Sequence, residues 1–558
     1  MVVFGDEEQQ RRLEFLKKRE EEELAQVLSH KYGVEYVDLS LVAINSDALR
    51  LLPEKDARDA EVVAFGMVGK KLSLAVRSPA NPKALATVQH LQDLGYIPTM
   101  FMCSQESLAR GYARYADLSF ATESKAGVFE ISPEEIEALL TKVKSLTDIS
   151  ALIQESAADT KRAYRVTHIV EVILAGGLSL SASDIHFEPE EFNVQLRYRL
   201  DGVLVNVLTL DHETYRLVLS RMKLLSGMKL NITTEAQDGR FSIKVRGDEI
   251  EMRTSVLPGN YGETVVLRIL NPKAISVSLE ALGLEPKLLD RIYHEIARPN
   301  GMILTTGPTG SGKTTTLYAF LRKVNEPGTK IITIEDPIEY HLPIVQTQVE
   351  KNYSFAQGLR SALRADPDVI MVGEIRDGEV AETAINASLT GHLVFSTLHT
   401  NNAAGTFPRL IDMGINEKVL SSAITVAMAQ RLVRTLCKVC KIERDQNEKE
   451  MAVIKQVMAG VVDRTLVPEN RLKVWDAKPD GCPECHNRGY KGRIGVFEAI
   501  FMDSILEAVL RDKPSEREIT TATRPQGIPS MLEDGVIKVL RGLTSLDELS
   551  RVVDLEVR

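Results

Sequence analysis

The chain has 558 residues, 44% hydrophobic and 26% charged, the composition of a globular protein too long for a single core, and roughly 100–200 residues per domain predicts three or four domains. A net charge of −10 argues against a general nucleic-acid binder, and no apolar run approaches the roughly 18 residues of a membrane span. The start, Met1-Val-Val-Phe-Gly-Asp-Glu-Glu8, lacks the basic and apolar regions of a signal peptide, so a cytoplasmic location is expected.

Residues 1–30 are rich in Glu, Gln, Arg and Lys and read as a charged helix over 7–29, with a thin apolar stripe of Leu13, Leu16, Leu24 and Val27. Residues 31–120 read as a small α/β domain. Its expected strands are Val37-Asp-Leu39, Glu61-Val-Val-Ala-Phe65 and Lys71-Leu-Ser-Leu-Ala-Val76, and its helices cover 81–95 and 104–115. Cys103 stands alone there and reads as a packed thiol rather than a nucleophile. Residues 121–150 form a polar linker passing into helix, with a start signal at Ser132-Pro-Glu-Glu135.

Residues 151–275 form a second mixed domain. A helix through Ile169 is expected to stop at Gly176-Gly177, and strands follow at Asp184-Ile-His-Phe-Glu188, Asn193-Val-Gln-Leu-Arg-Tyr-Arg199 and Gly202-Val-Leu-Val-Asn-Val207. After a helix over 215–225, three more strands carry Arg253 and Arg268 on either side of the turn Pro258-Gly-Asn-Tyr-Gly262.

Residues 276–436 hold the clearest chemistry. Gly307-Pro308-Thr309-Gly310-Ser311-Gly312-Lys313-Thr314 has the spacing G-x-x-x-x-G-K-[ST], preceded by the apolar run Met302-Ile303-Leu304 and followed from Thr315 by helical periodicity. Such a loop turns its N–H groups around phosphate oxygens at a helix N-terminus. Lys313 is placed to reach the β- and γ-phosphates, and the Thr314 hydroxyl to meet Mg²⁺. Strand–helix alternation continues, with acids at strand ends: Glu335 and Asp336 after Ile331-Ile-Thr-Ile334, and Glu374 after Asp368-Val-Ile-Met-Val-Gly373. This describes a parallel α/β sheet with its ligand beyond the carboxyl edge.

Hydrolysis of a phosphoanhydride needs a held Mg²⁺, a positioned water and positive charge on the transition state. Glu374 is the natural residue to position the water. Many P-loop ATPases have Asp just before this Glu to support the metal; Gly373 stands there, so Glu335 and Asp336 are the expected substitutes, a capping or salt-bridge pair being the plain alternative. His392 and His399 bracket the next strand and are candidates to sense the γ-phosphate, although a packed core histidine fits either position as well. Arg253 and Arg268, then Arg360 and Arg364, are the candidate cations, each of which alone also reads as a surface salt bridge.

Four of the five cysteines form two C-x-x-C pairs, Cys437/Cys440 and Cys482/Cys485, within residues 437–490. Two such knuckles suit a closed tetrahedral Zn²⁺ site, a redox pair or unliganded thiols being the alternatives. The long gap is expected to loop out its Glu/Lys-rich helix, and His486 reads as a neighbour of the metal rather than a ligand. Residues 491–558 turn helical, with helices beginning at Ser504, Ser515, Ser530 and Ser545.

Thr333-Ile-Glu-Asp-Pro-Ile-Glu339, Val369-Ile-Met-Val-Gly-Glu-Ile-Arg376 and Thr390-Gly-His-Leu-Val-Phe-Ser-Thr-Leu-His-Thr-Asn401 follow the phosphate loop in order. They resemble the aspartate, Walker B and histidine boxes of secretion ATPases, most closely the type IV pilus assembly and type II secretion ATPase family. Ser183-Asp-Ile-His-Phe-Glu188, Arg197-Tyr-Arg-Leu-Asp-Gly202, Gln237-Asp-Gly-Arg240, Gly262-Glu-Thr-Val-Val-Leu-Arg268 and Ala429-Gln-Arg-Leu-Val-Arg-Thr-Leu-Cys437 extend the likeness. The resemblance implies an N-terminal α/β docking domain, a PAS-like α+β domain and a RecA-like P-loop ATPase core. It further implies a homo-hexamer with ATP sites between the last two of these domains, with Arg253 and Arg268 approaching the phosphates and Arg360 and Arg364 supporting. The implied partners are an integral inner-membrane platform protein and a cytoplasmic adaptor, with peripheral association at the inner face of the plasma membrane. Some relatives bind cyclic di-GMP through Arg-Leu-Gly repeats in the docking domain, and this sequence contains none. A RecA-like nucleic-acid motor is the rival reading, opposed by the acidic balance and the lack of a basic, aromatic-studded groove.

Overall fold

The computed structural model describes residues 21–39, 51–68, 70–117, 133–158, 162–272, 277–469 and 472–555, with single positions between 39 and 51. It comprises two compact units, residues 1–128 and 129–558. Leu13 and Leu16 lie outside the described residues, as does Ser132.

In the first unit four strands, Glu35–Tyr36 (β1), Val62–Val68 (β2), Lys71–Val76 (β3) and Ile97–Met102 (β4), form a sheet of order β1-β4-β3-β2. The strand expected at Val37 lies two residues earlier, and β4 has no counterpart in the sequence reading. Helices Pro82–Asp93 and Gln105–Ala113 start on the side-chain caps of Asn81 and Ser104. The first described helix, residues 21–32, leaves Leu24 and Val27 exposed and buries Ala25 and Ser29 instead. Its Glu22 accepts hydrogen bonds from Ser104 Oγ at 2.6 Å and from Tyr36, so this part of the helix is tied to the sheet rather than free in solvent. Cys103 is buried against the Val76 carbonyl, and burial pushes its thiol pKa well above the usual range, as a packed thiol requires.

The second unit opens with helices Pro133–Lys142 and Leu146–Ala158, which occupy much of the expected linker, and Arg162–Ser179. They pack with a six-stranded antiparallel sheet of order β7-β6-β5-β10-β9-β8, built from Asp184–Pro189 (β5), Val194–Leu200 (β6), Val203–Leu210 (β7), Gln237–Val245 (β8), Asp248–Gly259 (β9) and Gly262–Leu270 (β10). Gly176 and Gly177 do not end the third helix. A Cβ at Gly176 would meet Ile149 at 2.6 Å and the Tyr198 hydroxyl at 2.9 Å, so glycine permits close packing there.

The largest sheet has seven strands in the order β13-β12-β14-β15-β11-β16-β19. They are Gly301–Thr306 (β11), Ile331–Glu335 (β12), Val345–Gln348 (β13), Val369–Val372 (β14), Leu393–Leu398 (β15), Ile424–Leu436 (β16) and Tyr490–Phe501 (β19), all parallel to their neighbours except β19. Its central strands are buried on both faces: Met302 and Leu304 enter one core and Ile303 the other. The strand β19 runs unbroken across the boundary at 490, carrying the core sheet past the cysteine insertion.

Between β16 and β19, strands Ile442–Asp445 (β17) and Lys473–Asp476 (β18) pair, and helix Glu448–Gly460 lies between them in sequence. That helix does not loop out: Ile454, Val457 and Met458 are buried in the main core. Among the final helices, Ser515, Ser530 and Ser545 are N-caps as expected, whereas Asp503, not Ser504, caps the first. No helix of the described residues is long and apolar enough to cross a membrane.

Candidate functional site

The loop after β11 is shaped by glycine where no other residue serves. Gly307 and Gly312 have φ of 147° and 92°, and a Cβ on either would sit 2.6 Å from Gln430, from its carbonyl O at Gly307 and from its Nε2 at Gly312. Gln430 comes from β16 and is buried; its Oε1 accepts from the Thr316 hydroxyl at 2.8 Å, locking the first turn of helix Lys313–Val324 beneath the loop. Gln430 stands in the Ala429–Cys437 motif without a role of its own, since nothing local marks a glutamine more than a hundred positions away as part of the loop. Lys313 Nζ donates to the carbonyls of Gly307 (2.8 Å) and Pro308 (3.1 Å). Burial, with Arg431 nearby, lowers its pKa against the opposing pull of Glu374. The Ser311 hydroxyl is buried without a partner among the described residues.

Because β11, β12, β14 and β15 are parallel, their carboxyl ends bring Glu335, Asp336, Glu374 and His399 to the same edge as the loop. A cavity of about 790 Å³ is lined by Thr309, Gly310, Ser311, Gly312, Lys313, Thr314 and Thr315, by those four residues, and by Arg268. Its size suits a nucleotide.

Glu335 is buried, and both carboxylate oxygens are taken: one accepts from Thr333 Oγ1 (2.5 Å) and Gln346 Nε2 (3.0 Å), the other from the Tyr318 hydroxyl. Thr314 and Asp336 line the same cavity and carry oxygen donors of the hard kind that suits a divalent cation. A Cβ on Gly373 would lie 3.2 Å from the Ile334 carbonyl O, so the end of β12 crowds the position where many P-loop ATPases keep an aspartate.

Glu374 is held from two sides. Arg376 Nε donates to its Oε1 at 2.6 Å, and His399 Nε2 lies 3.3 Å from its Oε2. Arg376 also reaches Asp336 at 3.4 Å, and its hydrogen bond to Glu374 raises its own pKa. Arg376 stood inside a quoted motif without a role, and only the fold shows that it joins two acids from different strands.

The arginines divide. Arg268 pairs with Asp184 at 3.1 Å and lines the cavity; burial opposes its charge, but Asp184 outweighs it and raises the pKa. Asp184 also holds Arg199 at 3.2 Å, a cation of the same cavity that stands in the Arg197–Gly202 motif without an assigned role. Arg253 is directly opposite Arg268 in the β9–β10 ladder, yet it does not line the cavity; its guanidinium donates to the Ile338 carbonyl, bracing the segment after Asp336. Arg360, paired with Glu379 at 2.7 Å, and Arg364, which donates to Ser361 Oγ at 3.2 Å, are exposed and outside the cavity. His392 is also outside it. It precedes β15 while His399 follows it, about 23 Å away at 3.3 Å per residue, and its Nδ1 bonds the Ala387 carbonyl at 3.0 Å.

The four thiols of Cys437, Cys440, Cys482 and Cys485 lie within 4.8 Å of one another, with three pairs at 3.8 Å. Tetrahedral ligands about 2.3 Å from Zn²⁺ are about 3.8 Å apart, so the cluster fits the metal. Burial raises the Cys485 pKa, but N–H groups of Cys482, Gly489 and Arg488 outweigh this and bring it to about 6, favouring a thiolate. His486 is not among the clustered ligands; its Nδ1 donates to the Lys144 carbonyl at 2.8 Å.

The profile of the family described as "Type II/IV secretion system protein" matches residues 159–551, and that of the MshEN domain matches residues 32–122. The type II secretion system protein E of Pseudomonas aeruginosa is 44% identical over 390 residues, covering 69% of this chain and 75% of that protein. The type IV pilus assembly ATPase PilB of Myxococcus xanthus is 35% identical over 541 residues, 95% of this chain and 91% of its own. Among solved structures, the pilus retraction motor PilT with bound ADP is 27% identical, with a TM-score of 0.46 over 68% of this chain and 96% of that one.

Proposed function

The chain belongs to the type II/IV secretion system protein family, and from that premise we propose that it is a Mg-dependent ATPase working as a cytoplasmic homo-hexamer, which powers assembly of type IV pili or type II secretion pseudopili at the inner face of the plasma membrane. The observation that carries this reading is the single cavity where the phosphate loop, Glu374 and the Asp184-held arginines Arg199 and Arg268 converge.

In the reaction, ATP lies with its phosphates in the cradle of residues 307–314 and Lys313 on the β- and γ-oxygens. Glu374, fixed by Arg376 and His399, orients a water and accepts its proton. The water oxygen bonds to the γ-phosphorus as the bond to the β–γ bridging oxygen breaks, its electron pair leaving on ADP. Arg268 and Lys313 offset the charge on the transferring group. Mg²⁺, when bound, neutralises the β- and γ-oxygens, and Thr314 with Asp336 are the residues to hold it. Glu335 and Arg253 act through their neighbours, the first fixing the end of β12 and the second the segment at Ile338. Arg360 and Arg364, exposed on their own subunit, are available to a neighbouring one. Zn²⁺ in the four-thiol cluster is structural. The proposed partners are the integral platform protein and a cytoplasmic adaptor.

Steady-state ATPase activity of wild type and Glu374→Gln, measured with solution mass and zinc content, tests the reading. Turnover by a zinc-loaded hexamer, lost in the variant with nucleotide binding retained, is the expected result. A protein that binds nucleotide with equal turnover in both forms would remove Glu374 from the mechanism.

A further inference from the structure

Behind Glu374 the protein carries a second cavity, of about 290 Å³, too small for a nucleotide and lined by Ile375, Arg376, Leu398, Arg409 and Met413. Glu374 and His399 line both cavities, which adjoin at these two residues. Arg376 and Arg409 bring positive charge to the smaller space, His399 adds a ring nitrogen, and the one acid there is Glu374. Arg376 and His399 are engaged with that acid. Arg409, on helix Thr406–Asp412, is exposed and makes no side-chain hydrogen bond or ion pair among the described residues. The floor is fixed by tight packing: a Cβ on Gly378 would lie 2.5 Å from the Met413 carbonyl O, holding the start of one helix against the end of the other.

We propose that this cavity is the transient binding site and exit for inorganic phosphate, the second product of the reaction proposed above, on which this inference rests. Hydrolysis itself opens it. When Glu374 has accepted the water's proton it no longer carries the charge that holds Arg376 and His399, and the new counter-ion beside them is the detached phosphate. Arg409, with no side-chain partner among the described residues, supplies the planar fork that suits a tetrahedral oxyanion on the outer side. Phosphate therefore moves past His399 toward Arg409 while ADP stays on the loop, and return of the proton to the leaving anion restores the Glu374–Arg376 pair.

Product inhibition of the full-length protein separates the two exits. In wild type, orthophosphate and ADP are each expected to inhibit. In Arg409→Ala the inhibition constant for phosphate is expected to rise at least tenfold, with that for ADP within twofold, and Arg409→Lys to fall between. Titration of orthophosphate followed by phosphorus NMR, with ADP present, gives the same comparison without turnover, and weaker binding by Arg409→Ala is expected. Unchanged phosphate inhibition in a folded Arg409→Ala protein, or no phosphate binding by wild type, overturns the proposal. Absence of turnover with intact, Arg409-dependent phosphate binding would instead count against the ATPase reading and leave the anion site standing.

Discussion

Arg376 and Glu374, two residues apart on the segment after β14, form an ion pair whose other end is Asp336 at the tip of β12. The guanidinium thus fixes the acid proposed to orient the water to the rim where the metal is expected, and it packs over Phe355 with its carbon 5.6 Å from the ring centroid. Charge-assisted hydrogen bonds of this kind contribute about 1.5–3 kcal/mol. Arg376→Gln is expected to lower kcat about tenfold to a hundredfold with little change in KM for ATP, and Arg376→Lys to recover part of the loss. Steady-state kinetics of the three proteins check this.

Gln430→Leu leaves the buried Thr316 hydroxyl without its acceptor and frees the underside of the phosphate loop. A buried group left unpaired costs about 1–3 kcal/mol, and nucleotide affinity is expected to fall by about tenfold or more in equilibrium titration. Gly312→Ala is expected to be worse, because a left-handed backbone and a contact with the Gln430 amide both oppose the new methyl group.

Removal of zinc is expected to lower the thermal midpoint by several degrees. The thiols tie the end of β16 to the start of β19, and that tie is lost without the metal. Cys482→Ser should show the same loss with less than one zinc per chain by metal analysis, and chelator should no longer shift its midpoint.

Asp534 and Lys538 form a buried pair one helical turn apart, and Asp534 also accepts the Phe497 N–H at 2.8 Å. Burial raises the Asp534 pKa, with Lys538 opposing. An acid whose folded pKa lies above its unfolded value of about 3.9 binds its proton more readily when folded, so its contribution to stability falls as pH rises through that interval. Lys538→Met removes the opposing charge and is expected to destabilise by about 3–5 kcal/mol, with the loss growing from acidic toward neutral pH. Urea unfolding of both proteins across that range reads it.

The phosphate loop, Glu374 and the cysteine knuckles were legible because their chemistry demands particular residues at fixed local spacing. The strand ends were legible as well, since a run such as Val369-Ile-Met-Val372 between turns has few other uses. What stayed hidden was each residue whose meaning depends on a distant partner. Gln430 reaches the loop through the β11–β16 pairing, Arg199 joins Arg268 through a shared Asp184, and His392 leaves the site because it stands at the wrong end of its strand. Helix Glu448–Gly460 misled by composition: its charged residues hide three core positions, Ile454, Val457 and Met458.

The position of β19 bears on how the chain is made. Ribosomal synthesis delivers the phosphate loop at 307–314 before Tyr490–Phe501, and the sheet lacks its last strand until that segment has emerged. Until then β16 offers its unpaired backbone groups to any passing strand, the arrangement that nucleates misassembly. A nascent or truncated chain ending within the cysteine insertion therefore holds every phosphate-binding residue and still has an open seam, so nucleotide retention by such fragments is a poor proxy for completed folding.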